Sequence, residues 1–129
     1  MREEGTTDRL VIRSAGKIVL FNPEEIDWVE ASANYVRIHA GVREYVVRDT
    51  MANIEKRLGG RFLRIHRSII VNVDRVRTLA ASSNAESALI LADGKELPVG
   101  RSRRTQVDTL LRSLLNAGGN SGWPGPAQS

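Results

Sequence analysis

The sequence predicts a mainly β domain of about nine strands with two or three short helices. Three observations carry that expectation. Short runs rich in valine and isoleucine recur along the chain, separated by glycine-, asparagine- or aspartate-centred turns, as strands and hairpins require. Only two longer stretches, around 50–58 and 102–115, switch to helical periodicity. A chain of 129 residues with 41% hydrophobic and 26% charged side chains also suits one small globular domain. No apolar run approaches the ~18–20 residues that cross a bilayer. No leader-like apolar segment follows Met1-Arg2-Glu3-Glu4, and cysteine is absent. Disulfides, thiolate nucleophiles and zinc fingers are thereby excluded, and the expected compartment is the cytoplasm.

Each element follows from local chemistry. Residues 1–8 are polar and are expected to form a disordered leader. Leu10-Val11-Ile12 and Lys17-Ile18-Val19-Leu20-Phe21 flank Ser14-Ala15-Gly16, the pattern of a hairpin. Asn22-Pro23-Glu24-Glu25 suits a single helical turn, with Asn22 as cap and proline at the first helical position. Residues 26–30 and 34–39 form the next strand pair around Ala31-Ser32-Ala33. In the second of these, Val36 and Ile38 alternate with Tyr35, Arg37 and His39, giving one apolar and one polar face. Gly41 turns the chain into a strand over 44–48. Met51, Ile54 and Leu58 fall at helical spacing behind Thr50 as N-cap, with Gly59-Gly60 as the stop. Strand-like residues 62–65 and 69–71 bracket His66-Arg67-Ser68. Residues 73–79 and 88–91 make a further pair around a polar loop over 81–84, and Asp93-Gly94 signals a hairpin into 96–99. A last helix over 102–115 carries Val107, Leu110, Leu111, Leu114 and Leu115 on one face. The Gly/Pro/Ser-rich end, 116–129, is expected to be a disordered tail, leaving one domain over 9–115.

Charge is distributed unevenly. The formal net charge is +4, and sixteen of the nineteen basic residues are arginine. Residues 1–36 sum to −3, residues 37–77 to +6 and residues 78–129 to +1. A basic middle suggests a localised anionic partner, and arginine offers a rigid fork suited to phosphates and guanine edges. Arginine richness also follows from a GC-rich genome, so charge alone leaves the partner open. Catalysis finds little support. His39 and His66 lie in different segments with no second ligand at metal spacing. Ser68 lacks a nucleophile motif such as G-x-S-x-G. Glu24, Glu25 and Asp27 read better as a solvated cap than as paired carboxylates. The sequence therefore predicts no enzyme, no cofactor and no metal site.

Two cationic clusters remain. In Arg61-Phe62-Leu63-Arg64-Ile65-His66-Arg67-Ser68, the residues Arg64, His66 and Ser68 share a parity opposite Leu63 and Ile65, and a bend would free Arg67. Ser68, and His66 even when neutral, can donate to phosphate. A solvated face with ion pairs to Glu55 or Asp74 is the alternative. Arg101-Ser102-Arg103-Arg104 opens the last helix, where cations oppose the helix dipole at about 0.3–1 kcal/mol each. A nearby phosphate would reverse that cost, and pairing of Arg103 or Arg104 with Asp108 is the alternative.

Four blocks, IDWVEASANYVRIH, YVVRDTMANIEKRL, RFLRIHRSIIVNVDRV and LADGKELPVGRSRRTQV, resemble the successive blocks of the LytTR DNA-binding domain. Its hallmarks are an I-x-E-A-x-x-N-Y strand pair, an F-x-R-x-H-R-S-x-x-V-N block and a closing D-G-x-x-x-P-V-S-R. The resemblance covers about residues 9–115, in order and at normal spacing. It implies an elongated β-sandwich of nine to ten short strands with two or three short helices. It also implies a bacterial transcription regulator that binds double-stranded DNA sequence-specifically, with loops in successive major grooves. The alternative is an interaction module that pairs with and antagonises a full-length LytTR regulator without binding DNA productively. Single-stranded RNA binding is disfavoured, because the six aromatics form no stacking platform.

By position, the resemblance implies DNA contacts from Asn34, Tyr35 and Arg37 in a first loop. Arg64, His66, Arg67 and Ser68 form a second, and Arg101 with Arg103 a third. Gly100 departs from the usual serine, and Val36 replaces a side chain that is polar in some members. The implied partner is double-stranded DNA, as tandem direct repeats, met by a chain that is a monomer when free and paired on DNA. The residues before the first strand hold no receiver domain, so a receiver or sensor would be a separate partner or part of a longer regulator.

Overall fold

Strand alternation and a few left-handed turn residues set the architecture of the computed structural model, which describes residues 10–81 and 87–117. Ten strands and two α-helices follow one another: β1 Leu10–Ser14, β2 Lys17–Phe21, β3 Trp28–Ser32, β4 Tyr35–Ala40, β5 Arg43–Val47, α1 Met51–Leu58, β6 Phe62–His66, β7 Ile69–Asn72, β8 Val76–Ala81, β9 Ser87–Leu91, β10 Glu96–Val99 and α2 Arg104–Ala117. Single 3₁₀ turns occupy Pro23–Glu25, Val73–Arg75 and Arg101–Arg103. The mainly β expectation holds. The strands form three sheets, ordered β1-β2, β5-β4-β3-β7-β6 and β10-β9-β8. The described residues fall into two compact units, one running to Leu63 and including Ser68–Asp74, the other made of Arg64–Arg67 and the chain from Arg75 onward.

In the first unit, hairpin chemistry fixes register. Ala15 and Gly16 have φ of 52° and 77°, the left-handed pair of a type I′ turn, so Ser14 faces Lys17 and Leu10 faces Phe21. Leu10, Ile12 and Phe21 then point inward, while Val11, Ile18 and Leu20 stay exposed. The Ser14 hydroxyl donates to the Val46 carbonyl at 2.9 Å, and Arg57 donates to the Val11 carbonyl. Alternation in β4 buries Val36 and Ile38 against Val29, Val47 and Ile70, as the sequence pattern predicts. Helix α1 adds Met51, Ile54 and Leu58 to the same core, each contributing about 1.5–3 kcal/mol of burial. Thr50 caps it by accepting from the Asn53 amide at 3.1 Å, and Gly59, with φ of 87°, ends it.

The second unit buries Leu89, Leu91, Leu97 and Val99 from its three-stranded sheet, and Val107 and Leu111 from α2. The Asp93-Gly94 turn forms as expected: the Gly94 amide donates to the Leu91 carbonyl at 2.8 Å, and the Asp93 carboxylate accepts from the Lys95 amide at 3.0 Å. Pro98 is tolerated because β10 is an edge strand with β9 as its single sheet neighbour. Helix α2 continues past Leu115 to Ala117. The expected leader, residues 82–84 of the polar loop and residues 118–129 of the tail lie outside the described residues.

One strand starts later than its sequence suggests. Residues 73–75 are a 3₁₀ turn rather than the first part of β8. The cause is Asn72, a buried polar side chain only 2% exposed. Its Oδ1 accepts from the Asp74 amide at 3.0 Å, bending the chain, while its Nδ2 donates to the Ile26 carbonyl at 2.8 Å. The Val73 amide donates to the Arg61 carbonyl at 2.9 Å, and Arg61 pairs with Asp74 at 3.0 Å. Asn72→Ala is expected to lower unfolding free energy by about 1–3 kcal/mol, because the Ile26 carbonyl loses its buried donor. Asn72→Asp should cost more, since it aims a carboxylate at that carbonyl; urea denaturation of the three proteins tests the order.

Candidate nucleic-acid interface

In the first unit, the candidate residues lie on the β3–β4 turn and the strand face beside it. Ser32 pairs with Tyr35, so Ala33 and Asn34 form a two-residue turn, and Ala33 carries the positive φ, 56°. Asn34 and Tyr35 are exposed at its tip, Tyr35 by 43%. The alternation that buries Val36 and Ile38 sends Arg37 and His39 to the opposite face of β4. On that face the basic side chains are engaged by carboxylates. In register, Arg37 faces Glu30 on β3, whereas His39 faces Trp28 on β3 and Glu44 on β5. Each basic side chain reaches diagonally instead: the Arg37 guanidinium donates to Glu44, and His39 Nε2 lies 2.8 Å from Glu30 Oε2. The His39 ring also stacks on Trp28, with centroids 4.0 Å apart and planes within 5°. Arg37, expected at the DNA, is therefore already engaged by a carboxylate.

The run from Arg61 to Ser68 divides differently from its strand parity. Ser68 sits in the Arg67-Ser68 turn rather than on a face shared with Arg64 and His66, because β6 ends at His66. In the first unit the Ser68 carbonyl accepts from the Ala31 amide at 2.9 Å, and Arg61 takes the ion pair with Asp74. In the second unit Arg64 is half-buried and donates to the Arg67 carbonyl at 2.5 Å, closing the turn rather than standing clear of it. The Arg67 side chain is exposed.

Gly100 ties the third cluster to the second. Its amide donates to the Ile65 carbonyl at 2.7 Å. A Cβ placed on Gly100 would lie 3.6 Å from His66 Cα and 3.7 Å from His66 Cδ2, so the end of β10 adjoins His66 within the second unit. The Arg103 amide donates back to the Gly100 carbonyl at 2.9 Å, winding Arg101–Arg103 into a 3₁₀ turn ahead of α2. Asp108 accepts from Arg112 at 2.9 Å, which raises the guanidinium pKa of Arg112 above its ordinary value. The Asp108 pairing considered for Arg103 does not form. Arg67, Arg101 and Arg103 make no side-chain hydrogen bond or ion pair with any described residue. A cleft of about 510 Å³ opens beside Arg101, lined by Leu79, Val99 and Val107 and edged by Arg101, Arg104 and Asp108.

Chemically, this is an anion-seeking surface. Two exposed arginines and a half-exposed third face solvent on adjoining backbone, near a histidine able to donate. Among the described residues no three His, Cys, Asp or Glu side chains gather to hold a metal ion, and no helix is long and apolar enough to cross a membrane. Sequence reasoning missed Trp28, Glu30 and Glu44. Their signal lay in strand register, which places them opposite His39 and Arg37.

These features define a mainly β module with an exposed, arginine-rich surface. Residues 16–112 match the family model of the LytTr DNA-binding domain, and the chain belongs to that family of transcription-regulator domains. It is 31% identical over 105 residues to the sensory transduction protein LytT of Bacillus anthracis, covering 81% of this chain and 43% of that protein. It is 33% identical over 88 residues to the CO-responsive transcriptional regulator RcoM of Rhodospirillum rubrum, covering 65% of this chain and 36% of RcoM. The chain thus spans less than half the length of these curated relatives. A LytTr DNA-binding domain from Bacillus cereus shares its fold, with a TM-score of 0.72 at 20% identity over 80% of this chain and 95% of that one.

The bond from Gly100 yields a prediction. With φ of −65° and ψ of 144°, position 100 accepts proline or serine without backbone strain. Gly100→Ser should leave stability within about 0.5 kcal/mol. Gly100→Pro removes the donor to Ile65 and should cost about 1–3 kcal/mol, read by equilibrium unfolding.

Proposed function

We propose that this chain binds double-stranded DNA sequence-specifically, through loops set into successive major grooves, and acts as a transcription regulator. The observation that carries this reading is the Gly100–Ile65 hydrogen bond, which seats Gly100 against His66 just ahead of Arg101 and Arg103, whose guanidiniums are unclaimed by any described residue. Arg101 follows Pro98-Val99 on a short 3₁₀ turn, where a planar fork suits N7 and O6 of a guanine. Arg67 and Arg103 serve phosphates, His66 and Ser68 add further donors, and Arg64 holds the turn in shape. At the β3–β4 turn, the exposed Asn34 amide suits an adenine edge, and Tyr35 adds a ring and a hydroxyl.

One such module covers only ~600–1,000 Å² of DNA interface. The free chain is accordingly a monomer, and full affinity comes from two copies on tandem direct repeats. Because LytT and RcoM are longer proteins with sensory and regulatory names, a receiver or sensor domain joined to this module, or acting on it, supplies the signal.

The experiment is binding to duplexes recovered by in vitro selection, compared with random duplex across a salt series. Arg101→Ala should lose about 1–3 kcal/mol on the selected site and far less on random DNA. Equal losses on both would assign Arg101 to phosphate. Arg67→Ala should weaken all sequences alike and lower the slope of log K against log salt by about one. An unchanged slope in a folded variant would remove Arg67 from the interface.

A further inference from the structure

We propose that Glu44 is a specificity-determining residue: it holds Arg37 away from phosphate, so that the β3–β4 turn meets DNA through Asn34 and Tyr35 without a net charge. The inference rests on the DNA-binding reading above. Arg37 lies two residues beyond exposed Tyr35 on the solvent face of β4, and its guanidinium donates to Glu44. Their side chains are 43% and 41% exposed, so the pair is not needed to neutralise a buried charge. Exposed ion pairs contribute little to folding. The pair's effect therefore falls on what approaches from solvent.

The groups around Arg37 support this assignment. Across the strands it faces Val46 on β5 and Glu30 on β3, and its neighbours on the same face of β4 are Tyr35 and His39. Glu30 is taken by His39, which itself faces Glu44 in register. Arg37 and Glu44 thus offset each other across two strands, while Glu30 is held in a hydrogen bond with His39. A phosphate coming to Arg37 meets the Glu44 carboxylate as well, and the local field offers it little gain. A lone Arg37 would instead add a phosphate contact on any duplex, raising non-specific and specific affinity together. By withholding that contact, Glu44 leaves this turn to base-edge donors, and discrimination between sequences increases.

The test uses the whole chain, random-sequence duplex and the duplex recovered by selection, titrated from 50 to 200 mM salt. Glu44→Gln keeps the shape and releases Arg37. It should steepen the random-duplex salt slope by about one unit, an extra loss of roughly threefold across that range. Affinity at the low-salt end should rise, and the ratio of selected to random affinity should fall. The double variant Arg37→Ala/Glu44→Gln should return the slope to the wild-type value, and thermal melts of both should match wild type. An unchanged slope in Glu44→Gln would overturn the proposal. So would a raised slope that persists in the double variant, since the carboxylate would then repel DNA without acting through Arg37. An unaltered selected-to-random ratio would overturn the specificity role. A wild-type chain without salt-dependent duplex binding would instead overturn the DNA-binding reading, and this proposal with it.

Discussion

Asn72 satisfies, with one side chain, two backbone groups that the fold cannot leave bare. Its amide nitrogen serves the Ile26 carbonyl, its oxygen serves the Asp74 amide, and its own backbone amide reaches the Asp27 carbonyl at 3.0 Å. The bonds to Ile26 and Asp27 fasten the end of β7 to the entry of β3, and the bond from Asp74 shapes the turn that follows. The register of β7 against β3 follows, with Trp28 facing Val71 and Glu30 facing Ile69. The Arg67-Ser68 turn is then delivered at the other end of β7, and the Ser68 carbonyl meets the Ala31 amide. An apolar residue at position 72 would bury as well, but it would leave both backbone groups without partners.

Within each unit, charge has been handled differently. On the outer face of β3-β4-β5, Arg37 is paired with Glu44, and His39, stacked on Trp28, is hydrogen-bonded to Glu30. The second unit leaves Arg67, Arg101 and Arg103 without partners among the described residues, on backbone joined through Gly100 and Ile65. A surface of the first kind discriminates by shape and hydrogen-bond pattern, whereas the second attracts any polyanion. A protein that must find one site among many gains from having both, because strong attraction alone spreads over every sequence.

Much of this was legible in the sequence where the determinants are local. Thr50 with Met51, Ile54 and Leu58 specifies α1, Asp93-Gly94 specifies a turn, and the Val36/Ile38 alternation specifies which face of β4 is buried. Determinants that depend on pairing were not legible. Val73-Asp74-Arg75 reads as the start of a strand until the buried Asn72 amide is seen bending the chain into a 3₁₀ turn. Ser68 shares parity with Arg64 and His66, but β6 stops between them. Arg37 reads as a free cation until register brings Glu44 within reach, and no local pattern links Gly100 to Ile65. The family blocks name segments, but they do not reveal which side chains in them are already bonded.

Ala33 has a consequence for the chemistry of the chain itself. An L-residue at φ of 56° is held there by the strands on either side, against its own preference. The mirror-image residue has the opposite preference. D-alanine at this position, installed by total synthesis, would carry the same methyl group while its intrinsic bias matched the turn. The β3–β4 turn is thus a place where chirality at one carbon can be inverted to stiffen an exposed turn without altering its composition. The same logic applies at Ala15, far along the chain from every basic cluster.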